Sequence, residues 1–379
     1  MSHFGVLVIT DEKPTEDILE EILAPWHEFE CTGMVNKYVQ NIDELPEALE
    51  LYNGDEIRLR APDGSMYDPY DDQFYRDPTP EEEEEILPFG GMGFRNGLSY
   101  LSKDWGDGRG YRAKFNYVPE GWEKVGVPKK ELYTFAEFVA DYYERPILLN
   151  EPDLEDVHKW GWYRVGENGE VTELVRRTNP NAKWDWWTVG GRWSGFLAPK
   201  ATAVDVEKGQ PGLMGSQANP KGVDVAMKRD VDFEGMREDA RVKARAEWQQ
   251  IHDLVGHLLD EFLTWDYVRD EMFPEYIDEA RKFYHSQPAM QELRKQEDLR
   301  WLSLEDFLCP LEEYETRRSN SCTTTFAFVK DGQWIERGNM GFWAVVTNEQ
   351  DRDEWAKAFN QMLDELPEET WLTVVDCHI

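Results

Sequence analysis

Cysteine is scarce in this chain, and its scarcity excludes a fold stapled by disulfides. Four Cys occur in 379 residues, and none of them belongs to a CxxC pair. Reduced thiols are typical of intracellular proteins, and the opening residues lack the basic, apolar and small-residue order of a secretory leader. Long apolar runs are also missing, since no stretch approaches the roughly 18 residues that a membrane-spanning helix requires. The sequence therefore predicts a cytoplasmic protein with free thiols and no membrane span.

Positive charge is the second scarcity. Lys and Arg number 41 against 77 Asp and Glu, which gives a formal net charge of −36. Such a charge repels phosphate backbones and attracts basic proteins, so we expect a basic partner and no direct binding of nucleic acid. A run of Glu at 81–85 is typical of a solvated segment. The alternative for this run is a surface that imitates a nucleic acid.

Hydrophobic residues make up 40% of the chain and aromatic residues 13%, which is typical of a globular protein. An apolar run at 4–9 and a helical pattern at 15–23 predict a β-α start. Strand patterns at 323–329, 334–337, 341–347 and 371–379, with a helix at 351–366, predict a β-β-β-α-β end. Each piece alone has too few strands to bury a face. We therefore predict an α+β fold, with a mixed or antiparallel sheet built from both termini.

Composition and periodicity divide the chain into four segments. Residues 1–198 are predicted to form an N-terminal α+β domain with long loops, including a hairpin at 160–176. Residues 199–233 are rich in Gly, Pro, Ala and Lys, which indicates a linker. Residues 234–318 have helical periodicity and are predicted to form a helical insertion. Residues 319–379 then complete the sheet.

The most unusual segment reads NPNAKWDWWTVGGRW and covers residues 179–193. Indoles supply flat apolar walls, adjacent glycines let a backbone approach a ligand closely, and Arg192 offers a bidentate donor to a carboxylate or phosphate. This mixture predicts a pocket for a small anionic ligand. The predicted ligand-binding residues are Lys183, Trp184, Asp185, Trp187, Gly190, Gly191, Arg192 and Trp193.

A structural interpretation of the same segment stays open. In that interpretation Trp184, Trp186 and Trp193 fill a core. Asp185 then pairs with Arg192 at the rim of that core, and the two glycines form a turn. The two interpretations differ in whether the segment faces an open cleft or a filled interior.

A second candidate site combines residues that are distant in the sequence. The groups near the first helix are His27, Glu28, Glu30 and Cys31, and those at the end of the last strand are Asp376, Cys377 and His378. They could converge if both termini share one sheet. Cys with His and a carboxylate supplies either a thiol nucleophile with its base or zinc ligands, although Cys377 and His378 face opposite sides of a strand. The predicted catalytic residues are His27, Glu30, Cys31, Cys377 and His378. The spacing fits no standard zinc pattern, so we assign no metal ligands and no cofactor.

The chain as a whole resembles an uncharacterised family of acidic, tryptophan-rich proteins from bacteriophages and bacterial genomes. The resemblance rests on HFGVLVI at 3–9, LAPWHEFECTG at 23–33, DPYDDQFYRDPTPEE at 68–82, NPNAKWDWWTVGGRW at 179–193, DFEGMR at 232–237, FVKDGQWIERGNMGFW at 328–343 and VVDCHI at 374–379. It implies a phage or prophage origin and a place inside the bacterial host cell. It implies no catalytic residue.

Three functions are consistent with these patterns. We expect first a binding module of phage type, which captures a small anionic ligand or a basic host protein through residues 179–193 and an acidic surface. The second is an enzyme, a hydrolase or transferase, that uses the Cys, His and Glu groups near the two termini. The third is a structural or particle-associated protein in which every motif belongs to a core.

Overall fold

The computed structural model describes residues 2–77, 79, 92–95, 98–101, 115–212, 219–274, 276–299, 301–341 and 345–379, so the Glu run at 81–85 lies outside the described residues. The strands are β1 (His3–Thr10), β2 (Gln40–Asp43), β3 (Asp55–Arg60), β4 (Met66–Tyr67), β5 (Tyr75–Arg76), β6 (Met92–Arg95), β7 (Leu98–Leu101), β8 (Phe115–Asn116), β9 (Glu123–Pro128), β10 (Gly161–Val165), β11 (Val171–Thr178), β12 (Trp186–Gly191), β13 (Gln210–Pro211), β14 (Val225–Met227), β15 (Ala327–Lys330), β16 (Gln333–Glu336), β17 (Asn339–Met340), β18 (Val346–Thr347) and β19 (Trp371–His378). The helices are α1 (Glu16–Leu23), α2 (Phe29–Thr32), α3 (Leu45–Tyr52), α4 (Lys129–Leu132), α5 (Phe135–Tyr143), α6 (Phe233–Leu259), α7 (Trp265–Tyr267), α8 (Ile277–Ser286), α9 (Pro288–Arg294), α10 (Leu311–Ser321) and α11 (Arg352–Glu365).

The chain divides into two compact units. Unit 1 consists of residues 1–38 and 179–379, and unit 2 consists of residues 39–178. The segment 1–198, predicted as one N-terminal domain, therefore contributes to both units. Unit 1 is discontinuous in the sequence, because β1 pairs with β19 at the other end of the chain. The composition of successive segments could not reveal such a division.

Unit 1 is built on a mixed sheet to which both termini contribute. The strand order is β13-β12-β19-β1-β15-β16, and β14 also pairs with β19. β1 is antiparallel to β19 from the pair His3 and His378 to the pair Thr10 and Trp371, and it is parallel to β15. The α+β class and the sheet shared by both termini, predicted from the sequence, are confirmed.

Helices cover both faces of this sheet. Leu7 and Val374 pack on one face with Phe359 of α11. Val6 and Val375 pack on the other face with residues of α1. Every residue of β19 is buried, as expected for a strand covered on both sides. β19 is thus the centre of unit 1.

The helical insertion lies between β14 and β15. α6 is a single helix of 27 residues, and the Asp232 side chain caps it by accepting a hydrogen bond from the Gly235 backbone N–H. Ile251 and Val255 of α6 form a core with Leu293 of α9 and with α10. Among the helices of the described residues, none is both long enough and apolar enough to cross a bilayer.

Two predicted segments differ from the observed structure. Residues 199–233 were expected to form a linker, but they include β13 and β14, and Asp224 is fully buried. The glycines there allow close packing, since a Cβ added at Gly222 would lie 1.9 Å from the Gly195 carbonyl oxygen. The third strand expected at 341–347 is represented by β18, which pairs with β17 in a separate two-stranded sheet. Residues 342–344 lie outside the described residues.

The described residues of unit 2 form two three-stranded sheets, β10-β11-β2 and β4-β3-β9. α3 and α5 cover β11 through a core that includes Ala48, Phe138 and Leu174. Thr134 and Glu137 form a reciprocal capping box at the start of α5. β10 and β11 form the hairpin that the sequence predicts at 160–176, which is therefore confirmed.

The packing of α11 on the sheet generates a stability prediction. Phe359 is fully buried, and its ring lies 5.4 Å from that of Phe328. Replacing a buried Phe by Ala removes apolar contacts and leaves a cavity, so we expect Phe359→Ala to lower the free energy of unfolding by about 3–5 kcal/mol. Ile18 is 40% exposed on α1, and Ile18→Ala should lower it by less than about 1 kcal/mol. Urea denaturation followed by circular dichroism measures both, and equal losses would contradict this packing.

Candidate functional site

The two motifs singled out in the sequence meet at one end of the unit 1 sheet, where β1 and β12 begin and β19 ends. The Glu28 backbone N–H donates to the Trp184 carbonyl at 2.6 Å, which joins the segment before α2 to the tryptophan segment. The Asp185 backbone N–H donates to the His378 carbonyl at 2.9 Å. These bonds bring Glu28, Asp185 and His378 to the same place.

A buried imidazole holds Asp185. His378 Nδ1 lies 2.6 Å from Asp185 Oδ1, and the His378 side chain is only 7% exposed. The imidazole stacks on the Trp186 indole with ring centroids 5.1 Å apart, and the His3 ring meets it edge to face at 4.8 Å. His3 is fixed in turn by Asp376, at 2.9 Å. The Asp185 carboxylate is therefore oriented by a rigid, largely buried array.

Three potential metal donors lie beside this array. The carboxylates of Glu28 and Asp185 and the thiol of Cys31 have ligand atoms that all lie within 4.8 Å of one another. Glu28 and Asp185 are half-buried, and Cys31 is exposed. The three residues come from two segments that the sheet brings together. We call this set the donor cluster.

The electrostatic surroundings of the donor cluster are negative. Burial raises the pKa of the Glu28 carboxyl, opposed by a hydrogen bond from the Cys31 thiol, and the charges of Asp185 and Glu30 raise it further. Burial, followed by the charge of Glu28, raises the pKa of the Cys31 thiol. Lys183, the nearest base in the sequence to Asp185, pairs with Glu336 at 2.6 Å. Within the described part of the chain, no Lys or Arg forms an ion pair with Glu28 or Asp185. A bound cation would relieve this repulsion.

These surroundings disfavour a thiol nucleophile. A reactive cysteine needs positive surroundings that lower the pKa of its thiol, and Cys31 has carboxylates instead. Glu30 lies close enough to raise the pKa of Glu28 but does not belong to the donor cluster. Cys31 and Glu30 are thus near one another, in an environment that favours a cation.

His27 and Cys377, two of the predicted catalytic residues, lie elsewhere. His27 is fully buried. Its Nδ1 lies 3.1 Å from the Ala24 carbonyl oxygen and its Nε2 lies 3.1 Å from the Met34 carbonyl oxygen, so the ring connects the turn before α2 with the segment after it. Cys377 is fully buried in the core on the α1 face. Cys377 and His378 face opposite sides of β19, as strand alternation predicts. Of the predicted catalytic set, the structure brings Cys31, Glu30 and His378 together.

The tryptophans of the segment have different environments. Trp184 is buried, and its Nε1 donates to the Leu23 carbonyl at 3.0 Å. Trp193 is half-buried against the core on the α11 face. Trp187 lines a cleft of about 270 Å³ together with Thr188, Glu207 and other residues. The position of Trp184 thus agrees with the core interpretation, and the position of Trp187 agrees with the cleft interpretation.

Two buried carboxylates explain the Gly-Gly pair. Gly190 and Gly191 have φ of +80° and +53°. A Cβ added at Gly190 would lie 2.7 Å from an Asp224 oxygen, and one added at Gly191 would lie 2.3 Å from Asp376 Oδ2. The Arg192 backbone N–H donates to Asp376 at 2.8 Å, while its side chain is exposed. The absence of a side chain at Gly190 and Gly191 thus leaves space for the carboxylates of Asp224 and Asp376.

Glu28 and Asp376 were named from the sequence among the groups of the second candidate site but were not included in the predicted catalytic residues, and His3 was not named. Asp185 was predicted to bind a ligand or, in the structural interpretation, to pair with Arg192, and its observed partner is His378. The signal that could have linked these groups is the pairing of β1 with β19, which places His3 opposite His378. No protein-family model, no curated protein and no solved structure matches this chain. The site must therefore be interpreted from its own geometry.

The glycine geometry generates a second prediction. Gly332 has φ of +71° but no atom within 4 Å of an added Cβ, so Gly332→Ala should cost only the backbone strain, about 1–2 kcal/mol. Gly191→Ala adds overlap with Asp376, and the free energy of unfolding should fall by at least about 3 kcal/mol. Chemical denaturation of both variants tests this difference. If the two losses were equal, Asp376 would not constrain Gly191.

A third prediction concerns the thiols. Cys31 is exposed and Cys377 is fully buried. In a variant with Cys309→Ser and Cys322→Ser, we expect Ellman's reagent to modify one thiol of the folded protein and two after denaturation in urea. Adding Cys31→Ser should leave the folded protein unmodified. Modification of Cys377 before unfolding would contradict its burial.

Proposed function

We propose that the protein is a binding module that captures one divalent transition-metal ion through Glu28, Cys31 and Asp185, with Zn²⁺ as the best match. The observation that carries this proposal is the position of the three donor atoms, all within 4.8 Å of one another. Donors of a tetrahedral zinc ion at about 2.0–2.3 Å stand roughly 3.3–3.8 Å apart. Small side-chain adjustments would therefore be sufficient to close the cluster around an ion.

The types of donor support a transition metal. Ca²⁺ and Mg²⁺ take oxygen ligands, whereas a thiolate next to carboxylates suits a softer ion such as Zn²⁺. Binding of the metal would deprotonate Cys31, because a thiol coordinates as a thiolate. Three protein donors leave a fourth position for water, or for a donor from another molecule.

The His378–Asp185 contact supports the same proposal. Metal ligands are usually held by a second group, and the loss of such a group typically weakens metal binding about 10–100-fold. His378 is buried and stacked on Trp186, and its Nδ1 holds one oxygen of the Asp185 carboxylate. The donor cluster is thus supported by a side chain that does not itself belong to it.

The nature of the ligand follows from the charge of the site. Residues 179–193 lie beside Glu28 and Asp376, so their surroundings favour a cation over the small anion expected from Arg192. The net charge of −36 continues to favour a basic protein partner over nucleic acid. The phage origin and the cytoplasmic location stay predictions. A Cys-dependent enzyme is the weaker candidate, because burial and then the neighbouring carboxylate of Glu28 raise the pKa of the Cys31 thiol.

Metal titration tests the proposal. We expect Co²⁺ to bind with one ion per chain and to give the thiolate-to-cobalt charge-transfer absorption, and Zn²⁺ to displace it. Cys31→Ser should abolish that absorption, and Asp185→Asn should weaken Zn²⁺ binding at least about tenfold. His378→Gln should weaken it by a similar factor while Cys31 still coordinates.

Two matched variants serve as controls. Cys309→Ser removes a thiol outside the donor cluster, and Glu30→Gln removes a nearby charge without removing a donor. Both should retain the cobalt absorption and most of the affinity for zinc. The proposal fails if wild-type protein gives no thiolate absorption, or if Glu30→Gln weakens binding as much as Asp185→Asn. The second result would mean that only diffuse negative charge attracts the ion.

A further inference from the structure

A large groove lies at the other end of the unit 1 sheet, where β1 and β15 end and β19 begins. Its volume is about 770 Å³, within the range of about 300–1,000 Å³ that small-molecule sites occupy. Pairing of His3 with His378 and of Thr10 with Trp371 places the donor cluster and this groove at opposite ends of β1 and β19. The groove shares no lining residue with the donor cluster.

Most of the groove wall is apolar. Ile22 and Pro25 come from α1 and the turn after it, and Leu366 and Pro367 come from the segment that leads into β19. The Tyr38 ring adds an aromatic surface. Such a wall suits the apolar body of a ligand, and an aromatic face also attracts cations.

The charged residues of the groove are mainly acidic. Asp11, Glu21 and Asp331 line it, against one base, Lys330. Lys330 pairs with Asp331 at 3.2 Å. Within the described residues, Asp11 and Glu21 form no ion pair with a Lys or Arg. Lys37 does not line the groove, and its Nζ lies 5.1 Å from the centroid of the Tyr38 ring. Asp11 and Glu21 are thus the two exposed carboxylates of the groove that form no ion pair among the described residues.

We propose that this groove binds a small organic cation that has an apolar body, of the class of aryl-alkyl amines. The body lies against Ile22, Tyr38 and Leu366, and the ammonium group lies near Asp11 and Glu21. A carboxylate ligand of the same shape is repelled by those two side chains. The site is independent of the metal centre, because no residue belongs to both.

The test compares three ligands of one shape. Saturation-transfer NMR and titration at about 0.15 M ionic strength would measure binding of 4-phenylbutylamine, 4-phenylbutanol and 4-phenylbutyrate to the full chain. We expect the amine to bind most tightly, the alcohol more weakly, and the carboxylate least. The Asp11→Asn, Glu21→Gln double variant should weaken amine binding about threefold to tenfold, as two partly exposed ion pairs would, and leave alcohol binding unchanged. Tyr38→Ala should weaken binding of both amine and alcohol.

A second double variant distinguishes the groove from the general charge of the chain. Asp17→Asn with Glu20→Gln removes two exposed acids of α1 that do not line the groove. It should leave amine binding unchanged. The proposal is overturned if this control weakens the amine as much as the groove variant does, or if the amine binds no more tightly than the carboxylate. Circular dichroism of each variant verifies that it is folded.

Discussion

The antiparallel pairing of β1 with β19 is the constraint on which unit 1 depends. It joins His3 to His378 at one end and Thr10 to Trp371 at the other, and so closes residues 3–378 into one loop. β12 and β14 then both pair with the free edge of β19, and β15 pairs with the free edge of β1. The donor cluster and the groove lie at opposite ends of β1 and β19. Neither would exist in a chain whose last strand paired elsewhere.

The sequence predicts local structure well wherever an apolar pattern repeats. The strand at 4–9, the helical segment that begins at 234 and the last strand agree with the observed elements because burial on one or two faces imposes a regular pattern. Residues 199–233 were misjudged because glycine and proline are typical both of linkers and of backbone that packs closely, as at Gly209 and Gly222. The same ambiguity affected Gly190 and Gly191. Composition alone cannot distinguish a glycine that admits a ligand from one that admits a buried carboxylate of the protein.

The candidate site was predictable in its residue types and not in its grouping. Cys31 and His378 were named together because both termini were expected in one sheet. Asp185 was assigned to the other motif, since nothing in the sequence indicates that its carboxylate meets His378. Cys377 could be set apart from His378 by strand alternation, but its complete burial requires the helix on that face. Such groupings depend on register over the whole chain, which sequence patterns do not specify.

The position of β19 has a consequence for biosynthesis. It is the last strand of unit 1 to be synthesised. The other strands of the sheet are joined to it either by direct pairing or through a neighbouring strand. Unit 2 is complete once residue 178 has been made, and domains generally fold in the order of synthesis. The sheet of unit 1 is incomplete until β19 has been made, and until then β1 and β12 lack their partner along the edges that pair with β19. Exposed strand edges can pair with other chains. We therefore expect the nascent protein to be prone to misassembly until residues 371–378 have left the ribosome.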